Sequence, residues 1–192
     1  FQNPSGISYS DDTRKKTAQA LSGGKTLFIE DDPYGELRFS GRDLPSMKQY
    51  LPERTVMLGS FSKIFAPSFR LGWIYAGKEL LEKITVAKQA SDLHTNYFSQ
   101  RVLYQYLLDN DLESHIATIR SAYSAQKDAM VSAIEELLPR QVQCTKPDGG
   151  MFLWLTLPEG ISSMQLFDAA IAENVAFVPG RPFYAQGNEA DN

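Results

Sequence analysis

A single cysteine, Cys144, and only two histidines, His94 and His115, stand in 192 residues. One thiol makes neither a disulfide framework nor a thiolate metal cluster. Two histidines far apart in sequence do not suggest a histidine zinc site. Apolar runs are short, and none reaches the length of a membrane-spanning helix. No block of five like charges suggests a tail, and a net charge of -4 argues against non-specific binding to nucleic acid or to an anionic membrane. No signal peptide is visible. The chain opens on Phe1 and passes at once into "FQNPSG", a turn of the kind that follows a strand, so the start reads as a cut, with targeting upstream of it left open. What is present, 43% hydrophobic and 22% charged residues, is ordinary globular material for one large domain or two small ones.

Strand-like and helix-like stretches alternate. Ser10 is placed to cap a helix over "SDDTRKKTAQALS", which has acidic residues in its first turn and ends at Gly23-Gly24. "TLFIE" (26–30), "RTVMLGS" (54–60) and "GWIYAG" (72–77) read as short strands. Being apolar almost throughout, they suit a sheet covered on both faces. "KELLEKITVAKQA" and "SQRVLYQYLL" read as helices, and Leu112, Ile116, Ile119, Tyr123, Met130, Ile134 and Leu137 predict a long one running up to Pro139. Then "GGMFLWLTLP" reads as a strand, "SSMQLFDAAIAEN" as a helix capped by Ser162 or Ser163, and "VAFVPG" as a strand. This order predicts an α/β unit over residues 1–110 with a parallel or mixed sheet, and an α+β unit over 111–192, bridged by the long helix.

The chemistry concentrates in "GSFSKIFAPSFRLGW", residues 59–73. An unprotonated lysine amine attacks carbonyls and forms a Schiff base, which makes Lys63 a candidate nucleophile. The hydroxyls of Ser60 and Ser62 and the guanidinium of Arg70 could hold a dianionic phosphate through charge-assisted bonds. Carbonyl capture beside a phosphate grip is what pyridoxal 5'-phosphate requires. By itself the Ser62-Lys63 pair reads as a loop lysine near an unrelated arginine. A Walker-type phosphate loop fails, because Ile64 follows the lysine where Ser or Thr is needed. Asp31 closes "TLFIE", and a carboxylate at a strand end could pair with a pyridine nitrogen and keep it protonated, so that the ring draws electrons. Tyr34 could reach the ring's phenolic oxygen. By itself "DDP" reads as a strand-ending turn. Asn3, before Pro4, could bond its own backbone in a turn, or direct its amide at the same phenolic oxygen or at a substrate carboxylate.

In this order, "NPSG" at residues 3–6, Asp31 and Tyr34 after a strand, and "SFSK" with Arg70 in "RLGW" resemble the class I/II aminotransferases of pyridoxal-phosphate fold type I. The wording "DDPY" and "SFSK" is similar to the 2-aminoadipate and aromatic (kynurenine-type) subgroup, and "KPDGGMFLW" and "FVPGRPFY" resemble its small domain. The resemblance covers essentially the whole chain. It implies the C-terminal part of a large, mostly parallel α/β/α domain in residues 1–110 and most of a small α+β domain in 111–192. It implies that Lys63 is the catalytic residue, holding pyridoxal 5'-phosphate as a Schiff base and moving a proton, with Asp31 at the pyridine nitrogen. Tyr34 and Asn3 would contact the phenolic oxygen, Asn3 also serving the substrate, and Ser60, Ser62 and Arg70 would bind the phosphate. Amino acid and 2-oxo acid substrates, a homodimer and a cytoplasmic setting without a membrane are implied too.

Departures from the pattern carry their own expectations. In the family an arginine that grips the substrate α-carboxylate follows a stretch resembling "GNEADN", and this sequence stops at Asn192, short of it. Arg181 in "PGRPFY" stands too early to replace it and reads as a surface or loop-bracing residue. The family's N-terminal half is not in the sequence, so the segment alone is expected to have little activity. Bacterial regulators that join a winged-helix (GntR/MocR-type) DNA-binding domain to an aminotransferase-like, cofactor-sensing domain share these motifs. A basic helix-turn-helix upstream would mark that alternative and bring nucleic acid in as a partner. Of the other residues, His94 reads as a cap or surface residue and His115 as solvated. Cys144 reads as a small buried hydrophobe, Trp73 and Trp154 as core, and the aromatics of "RPFY" as the border of a substrate pocket.

Overall fold

The computed structural model describes residues 1–185, and the "GNEADN" stretch lies outside the described residues. The first helix, α1 (Asp11–Ser22), begins as its cap dictates: Ser10 Oγ accepts from the Thr13 amide at 3.2 Å, and Asp11 and Asp12 sit at the positive end of the helix dipole. Its other end is closed from a distance. The Arg54 guanidinium donates to the carbonyls of Leu21 at 2.7 Å, Gly24 at 2.5 Å and Ser22 at 3.2 Å, adding to the Gly23 and Gly24 amides that already reach Leu21.

Strands β1 (Phe28–Asp31) and β2 (Thr55–Ser60) pair in parallel, with Asp31 opposite Leu58. Strand β3 (Gly72–Tyr75) adds to β2 in the antiparallel sense, with Gly72 opposite Ser60, so the three-stranded sheet is mixed. A buried cluster of Ala18, Met47 and Leu51, joined by Leu21, Phe28 and Tyr50, ties α1 to β1 and to the turn that precedes β2. Arg14 and Glu30 pin the same region. They pair at 3.0 Å, Arg14 also donates to the Pro45 carbonyl at 3.0 Å, and Glu30 accepts from Ser46 Oγ and from the Met47 amide at 3.0 Å.

Side chains alternate along a strand, so Ile29, Asp31, Val56, Leu58, Ser60 and Ile74 share one face. Ile29 and Ile74 on that face are 64% and 44% exposed. The expected cover on both faces is therefore incomplete. The runs are apolar enough to be buried twice, but β3 is an edge strand exposed along its length, Trp73 included, where a core position was expected. The chain presents 13203 Å² of accessible surface, against about 9,200 Å² for a compact monomer of this mass.

Three helices follow: α2 (Lys78–Ser91), α3 (Tyr97–Asp109) and α4 (Leu112–Leu137). The carboxylate of Asp111 caps α4, accepting from the amides of Glu113 at 3.2 Å and Ser114 at 3.3 Å. The Ser114 hydroxyl bond first, then these amides, hold the Asp111 carboxyl below the ordinary aspartate range. His115, expected to be solvated, instead turns its ring edge-on to Tyr106 at 5.8 Å, and its Nε2 is buried without a hydrogen-bond partner because the start of α4 lies against α3. None of the described helices is long and apolar enough to cross a membrane.

Beyond α4, β4 (Gln143–Cys144) and β5 (Leu155–Thr156) form a short antiparallel pair, and α5 (Ser163–Ala172) is capped by Ser162, which accepts from the Gln165 amide. The strand expected over "GGMFLWLTLP" narrows to two residues, and "VAFVPG" forms none among the described residues. Apolar character alone does not make a strand without a neighbour to complete its hydrogen bonds. Trp154 is half-buried and packs edge-on to Phe183 at 6.2 Å. Cys144 is half-buried, and desolvation pushes its thiol up.

The central core joins distant segments: Tyr34, Leu37, Ile64 and Ile116, with Phe61, Ile119 and Phe152 packed against them. The turn after β1, the turn carrying Lys63, α4 and the "GGMF" stretch thus meet at one point.

Candidate active site

Parallel pairing brings the carboxyl ends of β1 and β2 to one edge of the sheet, the position where open α/β sheets bind ligands. Asp31 ends β1 and Ser60 ends β2, on the same face, and the Asp32 amide prolongs the pairing by donating to the Leu58 carbonyl at 3.0 Å.

The turn after β2 wraps tightly. The amides of Phe65 and Ala66 both donate to the Phe61 carbonyl, at 2.8 and 3.2 Å, and enclose Ser62, Lys63 and Ile64. Ile64 is buried and anchors the turn in the core, while Ser60 Oγ accepts from the Ser62 amide at 3.1 Å. The chain then doubles back. A 3₁₀ turn (Pro67–Phe69) leads to Arg70, which takes the left-handed conformation at φ 55°, ψ 41°, and the Phe61 amide donates to the Leu71 carbonyl at 3.1 Å. Such a conformation is uncommon for a residue other than glycine. It returns the backbone so that Leu71 lies beside Phe61 and Gly72 opposite Ser60. The exposed Arg70 guanidinium makes one hydrogen bond, to the Pro67 carbonyl at 3.2 Å.

Tyr34 approaches from the turn after β1, which the Leu37 amide closes on the Tyr34 carbonyl at 2.9 Å. The residue is 9% exposed, its ring stands edge-on to Phe152 with centroids 5.4 Å apart, and Lys63 Nζ lies 5.8 Å from the Tyr34 ring centre. Among the described residues no carboxylate pairs with Lys63 or Arg70, and the Asp31 carboxylate and the Tyr34 hydroxyl have no hydrogen-bond partner. The Asp31 carboxylate, the Tyr34 hydroxyl and the Lys63 amine thus make no hydrogen bond to the described residues.

Asn3 is exposed in the first turn, and no hydrogen bond joins it to Asp31, Tyr34 or Lys63. Arg181 opens a 3₁₀ turn (Arg181–Phe183) and is exposed, and His94 lies on the surface. A hollow of about 380 Å³ is lined by Ser5, Ser8, Glu30 and Asp31, and another of about 310 Å³ by Asp32, Arg38, Ser60, Ile64 and Trp73. Lys63, Tyr34, Ser62 and Arg70 line neither of these two hollows. Among the described residues no group of His, Cys, Asp and Glu could hold a metal ion. Motif reading does not single out Phe152; its signal is an aromatic placed just after the Gly149-Gly150 turn.

The profile of the aminotransferase class I and II family matches residues 1–189. The aromatic-amino-acid aminotransferase 1 of Thermococcus litoralis is 45% identical over 186 residues, covering 96% of this chain and 45% of that protein. The crystal structure of the Pyrococcus horikoshii kynurenine aminotransferase, a complex containing PMP, superposes with a TM-score of 0.91 at 45% identity, covering 97% of this chain and 46% of the other. LysN, the alpha-aminoadipate aminotransferase of Thermus thermophilus, solved with N-(5'-phosphopyridoxyl)-L-leucine, gives 0.91 at 38% identity, covering 97% and 49%. A helix-turn-helix transcriptional regulator of Escherichia coli, YdcR, is 33% identical over 184 residues, covering 95% of this chain and 39% of the regulator. The chain spans about half the length of the curated relatives it matches.

Proposed function

We propose that this chain, which belongs to the class I and II aminotransferase family, provides the lysine-bearing part of a pyridoxal 5'-phosphate site that moves an amino group from an amino acid to a 2-oxo acid. The observation that carries the reading is the Lys63 amine at 5.8 Å from the Tyr34 ring, beside two strand ends that bear Asp31 and Ser60. The donor set fits the cofactor. Asp31 can pair with a pyridine nitrogen, Tyr34 and Asn3 can donate to a phenolic oxygen, and Ser60, Ser62 and Arg70 supply hydroxyls and a guanidinium for a phosphate. When bound, the cofactor supplies a carbonyl for amine capture and a ring that accepts electrons from the substrate carbon.

The chain's own residues do the rest. Lys63 Nζ is free of any carboxylate partner among the described residues and can hold and return the proton that leaves the substrate carbon. Buried Ile64 anchors the lysine turn in the core, and the left-handed Arg70 returns the chain to pair Gly72 with Ser60. Asn3 is assigned to the substrate side of the site as well. Residues 1–110 are assigned to the large domain and 111–192 to the small one, a division that coincides with the Asp111 cap of α4. The open sheet face and the large exposed surface support assembly with further protein, in the family manner as a homodimer, and we assign the protein to the cytoplasm.

The test is a scan of amino donors, including 2-aminoadipate, aromatic amino acids and leucine, against 2-oxoglutarate, with the protein expressed from its full reading frame. Turnover with a long or aromatic donor is expected. The segment 1–192 expressed alone should give none. The match to YdcR supports a second reading, an effector domain that binds the cofactor without turning substrate over. That reading predicts salt-sensitive DNA binding by the full reading frame and no transamination.

A further inference from the structure

One short strap, Pro147 to Phe152, touches both turns that face the proposed ring site. At the first turn, the Phe152 carbonyl oxygen lies so close to Gly6 that a Cβ there would stand 2.6 Å from it, and Gly6 sits at φ +71°, a conformation glycine takes freely. At the second, the amides of Phe39 and Ser40 donate to the Asp148 carbonyl at 2.7 and 3.0 Å, and the Gly150 amide donates to the Leu37 carbonyl at 2.8 Å. Ser40 Oγ donates to the Asp148 carboxylate at 3.1 Å, and Arg38 pairs with it at 3.6 Å. Contact at Gly149 is closer still: a Cβ there would stand 2.3 Å from the Leu37 carbonyl oxygen. Thus docked, the strap delivers the Phe152 ring edge-on to Tyr34, with an interplanar angle of 89°.

We propose that Phe152 is a positioning residue for Tyr34, fixing the direction in which the phenol hydroxyl points at the site faced by Lys63. This rests on the cofactor reading given above. Tyr34 shares a buried cluster with Leu37, Ile64 and Ile116, and within it Phe152 is the aromatic ring recorded against the tyrosine ring among the described residues. An edge-to-face aromatic contact adds a preference for ring orientation. Phe152 acts through Tyr34, on a hydroxyl that no described residue holds.

The experiment uses the protein from its full reading frame, loaded with pyridoxal 5'-phosphate, and reads the pH midpoint of the cofactor's visible absorption band together with the melting temperature. Tyr34→Phe removes the hydroxyl and should raise the midpoint. Phe152→Leu, which keeps bulk and loses the ring, should shift it the same way by about half a pH unit, the size of an aromatic pair contact. In the Tyr34→Phe background Phe152→Leu should add nothing. Phe152→Tyr should keep the wild-type midpoint. A lowered melting temperature with the Phe152→Leu midpoint unchanged overturns the proposal, as does a shift that adds in full to that of Tyr34→Phe. An unmoved midpoint in Tyr34→Phe overturns it as well, by taking Tyr34 away from the ring. Absence of the band in the wild-type protein is a separate result, which sinks the cofactor reading itself.

Discussion

Lys63 faces the ring of Tyr34 across 5.8 Å, although 28 residues and a whole strand separate them in the chain. The two come together because β1 and β2 run parallel, so the turns that leave both strands emerge at one edge. The Lys63 amine stands over the Tyr34 ring, and neither the amine nor the tyrosine hydroxyl makes a hydrogen bond to a described residue.

Removing the phenol hydroxyl should therefore be felt in catalysis more than in folding. Tyr34→Phe in the full reading frame is expected to lower kcat/KM about tenfold, the cost of one lost hydrogen bond to a charged acceptor. The melting temperature should stay near that of the wild type, since the ring and its packing remain. Unchanged kinetics would take the hydroxyl out of the site.

Arg54 tests the frame that carries the strands. Its guanidinium donates to three carbonyls at the end of α1; in Arg54→Ala the Leu21 carbonyl keeps the Gly23 and Gly24 amides, while those of Ser22 and Gly24 lose this donor. A loss of about 2 kcal/mol is expected, read as a lower denaturant midpoint. A loss within the scatter of ordinary surface substitutions would mean that α1 ends as well without it.

At Gly149 the test is steric. A methyl group would stand 2.3 Å from the Leu37 carbonyl oxygen and 2.5 Å from the Phe1 ring, so the strap must lift. Gly149→Ala should cost about 1–3 kcal/mol and loosen the contact between Phe152 and Tyr34. Full stability in this variant would show that the strap has room to move.

Acid should weaken the cap of α4. Asp111 is held below the ordinary aspartate range by the Ser114 hydroxyl and by the amides of Glu113 and Ser114. In the unfolded chain it returns to the ordinary value. Its contribution is thus complete above that ordinary range and is lost as pH falls toward the lower folded value. Asp111→Asn keeps an acceptor for the same amides but does not titrate. It should retain most of the neutral-pH stability and flatten the acid limb of a stability–pH curve. An acid limb as steep as that of the wild type would place the titration elsewhere.

The strands were legible because β1, β2 and β3 each carry their own apolar run between turn residues, and α1, α4 and α5 because Ser10, Asp111 and Ser162 announce their starts. "VAFVPG" has the same apolar signal and no strand, since strand formation depends on a partner that the run does not contain. Ser60, Lys63 and Arg70 could be read together because they lie close in the chain, between the end of β2 and the start of β3. Phe152 could not, because its meeting with Tyr34 depends on a strap from more than a hundred residues away. The exposure of Trp73 and the buried Nε2 of half-buried His115 escaped for a related reason: each is set by which neighbour lies alongside, the open edge in one case and Tyr106 of α3 in the other.

Borohydride reduction of the pyridoxal-phosphate-loaded protein, followed by peptide mass spectrometry, tests the central assignment most directly. The account predicts a phosphopyridoxyl group on Lys63 in the wild-type protein and none on any lysine of Lys63→Ala. A stable adduct on another lysine of the wild-type protein, or no adduct at all, would contradict it.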